Sequence, residues 1–171
     1  DNEQERLAGE LSNGNEKSSY IGYYSRFQLA PNNHAVEPGK RVAIISGPTP
    51  YNTQLLATII QLSIRYSTKI TVVCPEDMAT ERHDTITYVH DWKIADQEVL
   101  TAEWFISRNG YSTLMDIKQL QKKALLLATP GQLEQEYFAE MNLLKQQEVI
   151  QVTTEADFEE NWKSLFNGHT S

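Results

Sequence analysis

Two stretches of the chain place hydroxyl, amide and carboxylate side chains directly behind short apolar runs. Residues 107–116 have the sequence SRNGYSTLMD, and residues 129–136 have the sequence TPGQLEQE. Each pattern predicts the end of a buried strand, a polar turn that contains glycine, and the start of a helix. Turns of this kind on neighbouring parallel strands converge on one crevice, where open α/β sheets bind ligands. Hydroxyls and helix N-termini in such a crevice suit a sugar and a phosphate.

The first stretch supports a functional and a structural interpretation. Gly110 allows a sharp turn, Ser112 or Thr113 is placed to cap the following helix, and Asp116 falls in its first or second turn. In the functional interpretation, Asp116 accepts both hydroxyls of a ribose. In the structural one, Thr113 and Asp116 form a capping box, as in many ligand-free helices. The spacing alone favours the capping box.

The second stretch has the same two interpretations. Pro130 and Gly131 predict a turn, after which acidic and amide side chains crowd the start of a helix. In the functional interpretation, Glu134 and Gln135 hydrogen-bond the hydroxyls of a sugar, and Gln132 lies beside them. In the structural one, these side chains only satisfy the free amides of the helix N-terminus, and the pattern alone favours this interpretation.

A third turn, SGPTP at residues 46–50, follows the first strongly apolar run, where phosphate-binding turns are common. Ser46 and Gly47 are its candidate phosphate contacts. The turn lacks the G-x-G-x-x-G and P-loop motifs, and its two prolines remove backbone donors, so the signal is weak. Arg26 and Arg108 are the arginines placed to meet a pyrophosphate.

Composition excludes several classes of function. The net charge of −8 argues against a nucleic-acid partner but not against a nucleotide, because backbone amides and helix dipoles hold phosphate locally. No apolar run approaches the roughly 20 residues that span a bilayer. The single cysteine, Cys74, cannot form a disulfide within the chain and favours a cytoplasmic setting. The histidines have no metal-ligand spacing, so we expect no metal.

Apolar runs and helical periodicity alternate along the rest of the chain. Strands are predicted at 42–45, 70–74, 86–89, 104–106, 124–128 and 149–152, and helices at 53–66, 96–102, 112–121, 133–145 and 154–166. This rhythm predicts an α/β fold, a Rossmann-like doubly wound parallel sheet of about six strands flanked by helices.

The chain is expected to divide near residue 40. Residues 1–40 are predicted to be a connector or interdomain segment, and residues 41–171 a Rossmann-like domain. Within the connector, residues 20–24 are a candidate edge strand. Pro38 and Gly39 are predicted to lie in an exposed loop with residues 31–34.

Taken together, these segments resemble the carboxy-terminal, donor-binding half of GT-B glycosyltransferases of family 28, which include the bacterial peptidoglycan UDP-N-acetylglucosamine transferase. That family carries an Arg-Ser-Gly turn, a Ser/Thr-rich helix start and an acidic residue, to which residues 108–116 are similar. Its later proline, short loop, acidic residue and glutamine are matched at 130–139. The sequence motifs resemble more closely those of a group of bacterial glycosyltransferase-related proteins. That group carries the motifs RxGYSTxMD, TPGQxEQEY, LAGELS and YIGxxSRF, and the last two are found here at 7–12 and 20–27.

The resemblance implies that residues 41–171 are a Rossmann-like nucleotide-sugar-binding domain, and it implies roles for individual residues. Asp116 would bind the ribose, Ser112 and Thr113 the phosphates, and Glu134 with Gln135 the donor sugar. The implied donor-binding set is Arg108, Asn109, Gly110, Ser112, Thr113, Asp116, Gln132, Glu134 and Gln135. Asn109 departs from the serine usual in the family, and Phe138 departs from an asparagine. Neither change removes a proposed ligand group.

The resemblance also implies what lies outside this chain. It describes one half of a GT-B fold, a hexosyltransferase fragment that is inactive without an N-terminal acceptor-binding domain and has no identified catalytic residue. The donor would be a nucleotide-diphosphate sugar, with UDP as the first candidate, and no cofactor is implied. The location would be the bacterial cytoplasm, including the inner face of the membrane if the missing half makes peripheral contact there.

Two other hypotheses belong to different classes. The first is a non-catalytic Rossmann-like module that regulates or binds another protein. The second is an oxidoreductase that binds a dinucleotide, which the absence of G-x-G-x-x-G disfavours.

Overall fold

One parallel sheet organises the computed structural model, which describes residues 24–27, 35–79, 81–141, 144 and 147–166. Its strands are β1 (Glu37–Ile44), β2 (Ile70–Val73), β3 (Ile86–Val89), β4 (Ala102–Arg108), β5 (Lys123–Leu127) and β6 (Val149–Val152). Their order across the sheet is β3-β2-β1-β4-β5-β6, and every neighbouring pair is parallel. The predicted α/β fold with a Rossmann-like doubly wound sheet is therefore confirmed.

Helices connect the strands as predicted. They are α1 (Tyr51–Arg65), α2 (Trp92–Thr101), α3 (Tyr111–Leu120), α4 (Leu133–Met141) and α5 (Glu155–Phe166), with a short 3-10 turn at Glu76–Met78. Helix α2 begins four residues earlier than predicted. Asp91 caps it, because its carboxylate accepts a hydrogen bond of 2.8 Å from the amide of Lys93.

The helices cover both faces of the sheet. Side chains of α1 and α5 pack on one face with Ala43 and Ile45, whereas those of α2, α3 and α4 pack on the other face with Val42 and Ile44. Successive residues of a strand point to opposite faces, so each strand needs apolar side chains at every position. This requirement explains the continuous apolar runs in the sequence.

The first strand corrects one prediction. Strand β1 begins at Glu37, so Pro38 and Gly39 lie within it and not in a loop. The pairing of β1 with β4 shifts register between Glu37 and Arg41, and Gly39 has a φ of +76°. This irregularity lets the strand include a proline and a left-handed residue. Residues 31–34 of the predicted loop, and 20–23 of the candidate edge strand, lie outside the described residues.

The chain changes direction across the sheet between β1 and β4. From β1 it proceeds to β2 and β3 on one side, and from β4 to β5 and β6 on the other. Connections from β1 and β4 therefore leave in opposite directions and open a crevice at the carboxyl ends of these two strands. This topological switch point is the usual ligand site of open α/β sheets.

Candidate functional site

A cleft with a volume of about 260 Å³ lies at the switch point. The turns that follow β1, β4 and β5 form its wall, so the two stretches predicted to converge do so. The predicted site residues in the wall are Ser46, Gly47, Arg108, Gly110, Ser112, Thr113, Gln132 and Gln135. The weakest of the three sequence signals, the turn at 46–50, thus lies in the same cleft as the two stronger ones.

Four other residues of the wall were not predicted as site residues from the sequence. They are Pro48, which lies in the turn at 46–50, and Tyr51, Tyr111 and Thr129. Tyr111 and Thr129 lie inside the two polar stretches, so their position in the sequence was a usable signal. Tyr51 had no local signal, because it joins the cleft only through the pairing of β1 with β4.

Arg108 carries the only charge among the described residues of the wall. It is the last residue of β4 and is 7% exposed. Its guanidinium donates to the backbone carbonyl of Ala128 at 3.1 Å and to that of Tyr51 at 2.9 Å. These bonds tie the turns after β1 and β5 to the end of β4.

The bonds of Arg108 leave its buried charge without an ion-pair partner among the described residues, although the charge of Glu155 acts on it from a longer distance. Its Nε is buried and has no hydrogen-bond partner, and within the described residues no carboxylate forms an ion pair with it. Burial lowers the pKa of the guanidinium, although an arginine remains protonated at neutral pH. A buried, unpaired cation is costly, and an anion in the cleft would offset that cost.

The N-terminus of α3 faces the same cleft without a side-chain cap. Its N-cap residue is Gly110, with φ of −87° and ψ of 153°, and the first turn contains no acidic residue. Because the helix begins at Tyr111, Thr113 is its third residue and Asp116 its sixth. The predicted capping by Ser112, or by Thr113 with Asp116, is therefore wrong. The first amides of α3 have no partner within the helix and remain free for a ligand.

The turn after β1 has a glycine-dependent shape. Gly47 adopts a φ of +94°, a left-handed conformation that disfavours other residues. Its carbonyl accepts a hydrogen bond of 3.0 Å from the Asn52 side chain. Pro50 is the N-cap of α1 and supplies no side-chain cap. Ser46 and Gly47 are held in this way at the rim of the cleft.

The turn after β5 uses most of its polar side chains internally. The Gln135 amide accepts from the Thr129 backbone N–H at 2.9 Å and donates to the Gln132 side chain at 2.5 Å. Glu136 accepts from the Gly131 amide at 2.9 Å. Gln132 and Gln135 nevertheless line the cleft, while Glu134 is exposed and lies outside its wall.

Glu134 is close enough to influence one residue of the wall electrostatically. Burial is the main cause that raises the pKa of the Tyr111 hydroxyl, and the charge of Glu134 adds to it. Tyr111 also packs against Phe138, with ring centres 6.3 Å apart. The tyrosine therefore forms a fixed side of the cleft between α3 and α4.

Asn109 lies behind the cleft rather than in its wall. It is fully buried, and its side chain donates to the carbonyl of Gln135 at 2.8 Å and accepts from the Gln151 side chain at 2.8 Å. Its backbone amide donates to the carbonyl of Leu127. Asn109 therefore joins the ends of β4, β5 and β6 to the start of α4.

Asp116 also lies outside the wall, farther along α3. Its carboxylate accepts a hydrogen bond of 2.6 Å from Ser25 and lies 3.4 Å from the Arg26 guanidinium. Arg26 is 3.4 Å from Asp96 as well, and it does not line the cleft. Burial raises the pKa of Asp116, while Ser25 and Arg26 act in the opposite direction.

Neither a membrane span nor a metal cluster is found in the described part of the chain. No helix there is long and apolar enough to cross a membrane. No group of three or more histidine, cysteine, aspartate or glutamate side chains in those residues is arranged to hold a metal ion.

Comparison with known proteins gives weak similarities. No family model and no curated protein matches the chain. It is similar to the structure of spinosyn rhamnosyltransferase SpnG complexed with thymidine diphosphate, with 15% identity, a TM-score of 0.49, and coverage of 84% of this chain and 40% of that one. A second structure of spinosyn rhamnosyltransferase SpnG has 17% identity, a TM-score of 0.40, and coverage of 63% and 29%.

This chain thus spans less than half the length of the solved structures that it resembles. Similarity at this level carries no inference about function. The structure defines a Rossmann-like α/β domain with a cleft at its topological switch point.

Proposed function

We propose that this chain is the donor-binding half of a glycosyltransferase and that its cleft binds the diphosphate of a nucleotide sugar. One observation carries the proposal: the buried and unpaired guanidinium of Arg108 lies beside the uncapped N-terminus of α3. Both features attract an anion, and no acidic side chain among the described residues lines the cleft to occupy them. We assign the other residues of the site to the ribose and the sugar, so that the proposed ligand is a complete nucleotide sugar.

The phosphate subsite has three kinds of donor. Arg108 offers the charge of its guanidinium, α3 offers the amides of its first turn, and Ser112 and Thr113 offer hydroxyls. Ser46 and Gly47 face them from the opposite side of the switch point. Charged hydrogen bonds and helix N-termini bind phosphate even in a protein of net charge −8, because the interaction is local.

The ribose and sugar subsites are assigned to residues around the phosphates. Asp116 follows Thr113 by three positions and so lies on the same face of α3, one turn from the cleft. We assign it to the ribose hydroxyls. Glu134 and Gln135 are assigned to the donor sugar, with Gln132 beside them, and Asn109 holds these turns together.

The chemistry expected at such a site is the stabilisation of a leaving group. When an acceptor hydroxyl attacks the anomeric carbon, the bond from that carbon to the distal phosphate oxygen breaks, and its electron pair remains on the diphosphate. Arg108 and the α3 dipole stabilise the charge that develops there. The acceptor's proton passes to a base in the acceptor-binding half, which this chain does not contain in our proposal. We expect this chain alone to bind donor and to transfer nothing.

Nucleotide titration tests the proposal. We expect UDP, and to different degrees GDP and dTDP, to perturb the NMR signals of residues 46–47 and 108–113. Arg108→Met should lower the affinity for UDP at least tenfold, because a hydrogen bond to a charged group contributes about 1.5–3 kcal/mol to binding. Arg82→Met, at an exposed arginine outside the cleft, is the matched control and should leave affinity unchanged. Absence of shifts at these residues with every nucleotide would overturn the assignment and favour a protein-interaction module.

A further inference from the structure

A short segment that precedes β1 is docked against α2 and α3. This docking segment, Tyr24–Phe27, inserts Phe27 into the core beside side chains of both helices, where the ring is 4% exposed. The Arg26 guanidinium lies 4.7 Å from the centre of that ring. Ser25 is also 4% exposed. Burial of Phe27 therefore fixes where Ser25 and Arg26 meet α3.

The docking segment directs its donors at Asp116. Ser25 Oγ accepts a hydrogen bond of 3.1 Å from the Phe27 amide, which leaves its own proton to donate to Asp116 Oδ1 at 2.6 Å. Arg26 Nε lies 3.4 Å from Asp116 Oδ2 and forms an ion pair with the carboxylate. The contact of the Ser25 hydroxyl is shorter than that of the Arg26 guanidinium.

Asp116 keeps acceptor capacity for a ligand. An ionised carboxylate has about four acceptor positions, and the docking segment supplies one hydrogen bond, from Ser25, and one ion pair, from Arg26. Asp116 follows Ser112 by four positions, so the two residues lie on the same face of α3, one turn apart. Its side chain is 15% exposed.

We propose that Ser25 is a positioning residue of the ribose subsite, which orients the Asp116 carboxylate so that it accepts a ribose hydroxyl. This inference rests on the function proposed above. It places a residue from the segment before β1 in the binding site, whereas the donor-binding set implied by the family resemblance lies wholly within residues 108–135.

The charged surroundings of Asp116 give the proposal a pH signature. Burial raises the pKa of Asp116, and the nearby Asp96 adds to this, while Ser25 and Arg26 lower it. Loss of the Ser25 hydroxyl removes one lowering contribution, so protonation of Asp116 should begin at a higher pH. A protonated Asp116 loses acceptor positions for the ribose.

The experiment compares three ligands across pH 4 to 8 by calorimetry: UDP, 2′,3′-dideoxyuridine diphosphate and inorganic pyrophosphate. Ser25→Ala should lower the affinity for UDP several-fold at neutral pH. As the pH is lowered, this variant should also begin to lose affinity for UDP at a higher pH than wild type does. Binding of the dideoxy ligand and of pyrophosphate should not change, since neither has a ribose hydroxyl. Ser25→Thr keeps the hydroxyl and should restore wild-type behaviour. The ligands without ribose hydroxyls also control for the titration of the phosphates.

The outcomes separate this inference from the proposed function. If wild-type protein binds neither UDP nor pyrophosphate, the proposed function fails. If Asp116→Asn weakens UDP but Ser25→Ala does not, the role of Ser25 is overturned while the function stands. Equal weakening of all three ligands in Ser25→Ala would make Ser25 a structural residue only, and this too would overturn the inference.

Discussion

The guanidinium of Arg108, at the end of β4, donates to the backbone carbonyl of Tyr51, the first residue of α1, at 2.9 Å. This bond spans the switch point, because β1 and β4 pair there while their helices leave in opposite directions. A second bond from the same guanidinium reaches Ala128 behind β5. One buried cation thus joins the three turns that form the cleft.

Arg108 should couple anion binding to stability. Pyrophosphate at 100 times its dissociation constant should stabilise the wild-type fold by about 2.7 kcal/mol, by mass action. Arg108→Met should weaken pyrophosphate binding at least tenfold, so the same concentration should stabilise this variant by about 1.4 kcal/mol or less. Differential scanning fluorimetry with increasing pyrophosphate measures this, and Arg82→Met should respond as wild type does. An equal shift in Arg108→Met would exclude Arg108 from the anion site.

An acidic side chain at position 110 should stabilise the fold and at the same time weaken anion binding. A side chain fits at this position, since a Cβ added to Gly110 would come no closer than 3.9 Å to Thr113 Oγ1 and φ is negative. Gly110→Asp should cap α3 and raise the free energy of unfolding by about 0.5 kcal/mol. The new carboxylate should lower the affinity for pyrophosphate at least tenfold, because it competes for the same backbone amides of α3.

The charge effect at residue 110 has an isosteric control. Gly110→Asn also caps a helix but carries no charge, so it should weaken pyrophosphate less than Gly110→Asp does. Urea denaturation and calorimetry give the two quantities for each variant. If both variants bind pyrophosphate as tightly as wild type, the N-terminus of α3 is not the anion site.

The side chain of Asn109 should contribute more to the free energy of unfolding than an exposed asparagine does. Asn109→Ala removes two buried side-chain hydrogen bonds and leaves the Gln151 amide and the Gln135 carbonyl without their partner. We expect a loss of about 2–4 kcal/mol in the free energy of unfolding, measured with urea. Asn161→Ala breaks an exposed bond to the Asp157 carbonyl and should cost less than about 1 kcal/mol. Equal costs would contradict the role of Asn109 as a buried link.

Asp116 should make stability depend on pH in an unusual direction for a carboxylate. Its pKa in the folded state is raised above 3.8, so the folded protein binds the proton more tightly than the unfolded chain does. The contribution of Asp116 therefore falls as pH rises through the interval from 3.8 to the folded pKa. The unfolding free energy of Asp116→Asn relative to wild type should rise across this interval. A difference that falls with pH would show that Ser25 and Arg26 outweigh burial.

Much of the fold follows from local patterns. The apolar run at Val42–Ile45 and the breakers behind it predict a buried strand and a turn, because each signal acts over a few residues. Strands β2 to β6 and all five helices were predicted in the same way. One exception has a local reason. Pro38 and Gly39 are residue types typical of a loop, but the register shift after Glu37 allows them to lie within β1.

The site was predictable only in part. Ser112, Thr113, Gln132 and the turn at 46–50 could be selected because helix starts and glycine turns have clear sequence signals. Their convergence required neighbouring strands, which the alternating pattern favoured without giving the strand order. Tyr51 and Ser25 carried no signal, because their roles arise from contacts with distant parts of the chain.

By itself, then, the sequence determined which residues form strands, helices and polar turns, since propensity and hydrophobic pattern are properties of short segments. Only the tertiary structure decided which of those polar residues line the cleft and which form hydrogen bonds within the protein. Ser25 meets Asp116 across 91 positions of sequence, Arg108 meets Tyr51 across 57, and Asn109 meets Gln151 across 42. Such contacts depend on the order of the strands in the sheet, which burial and packing of the whole chain establish.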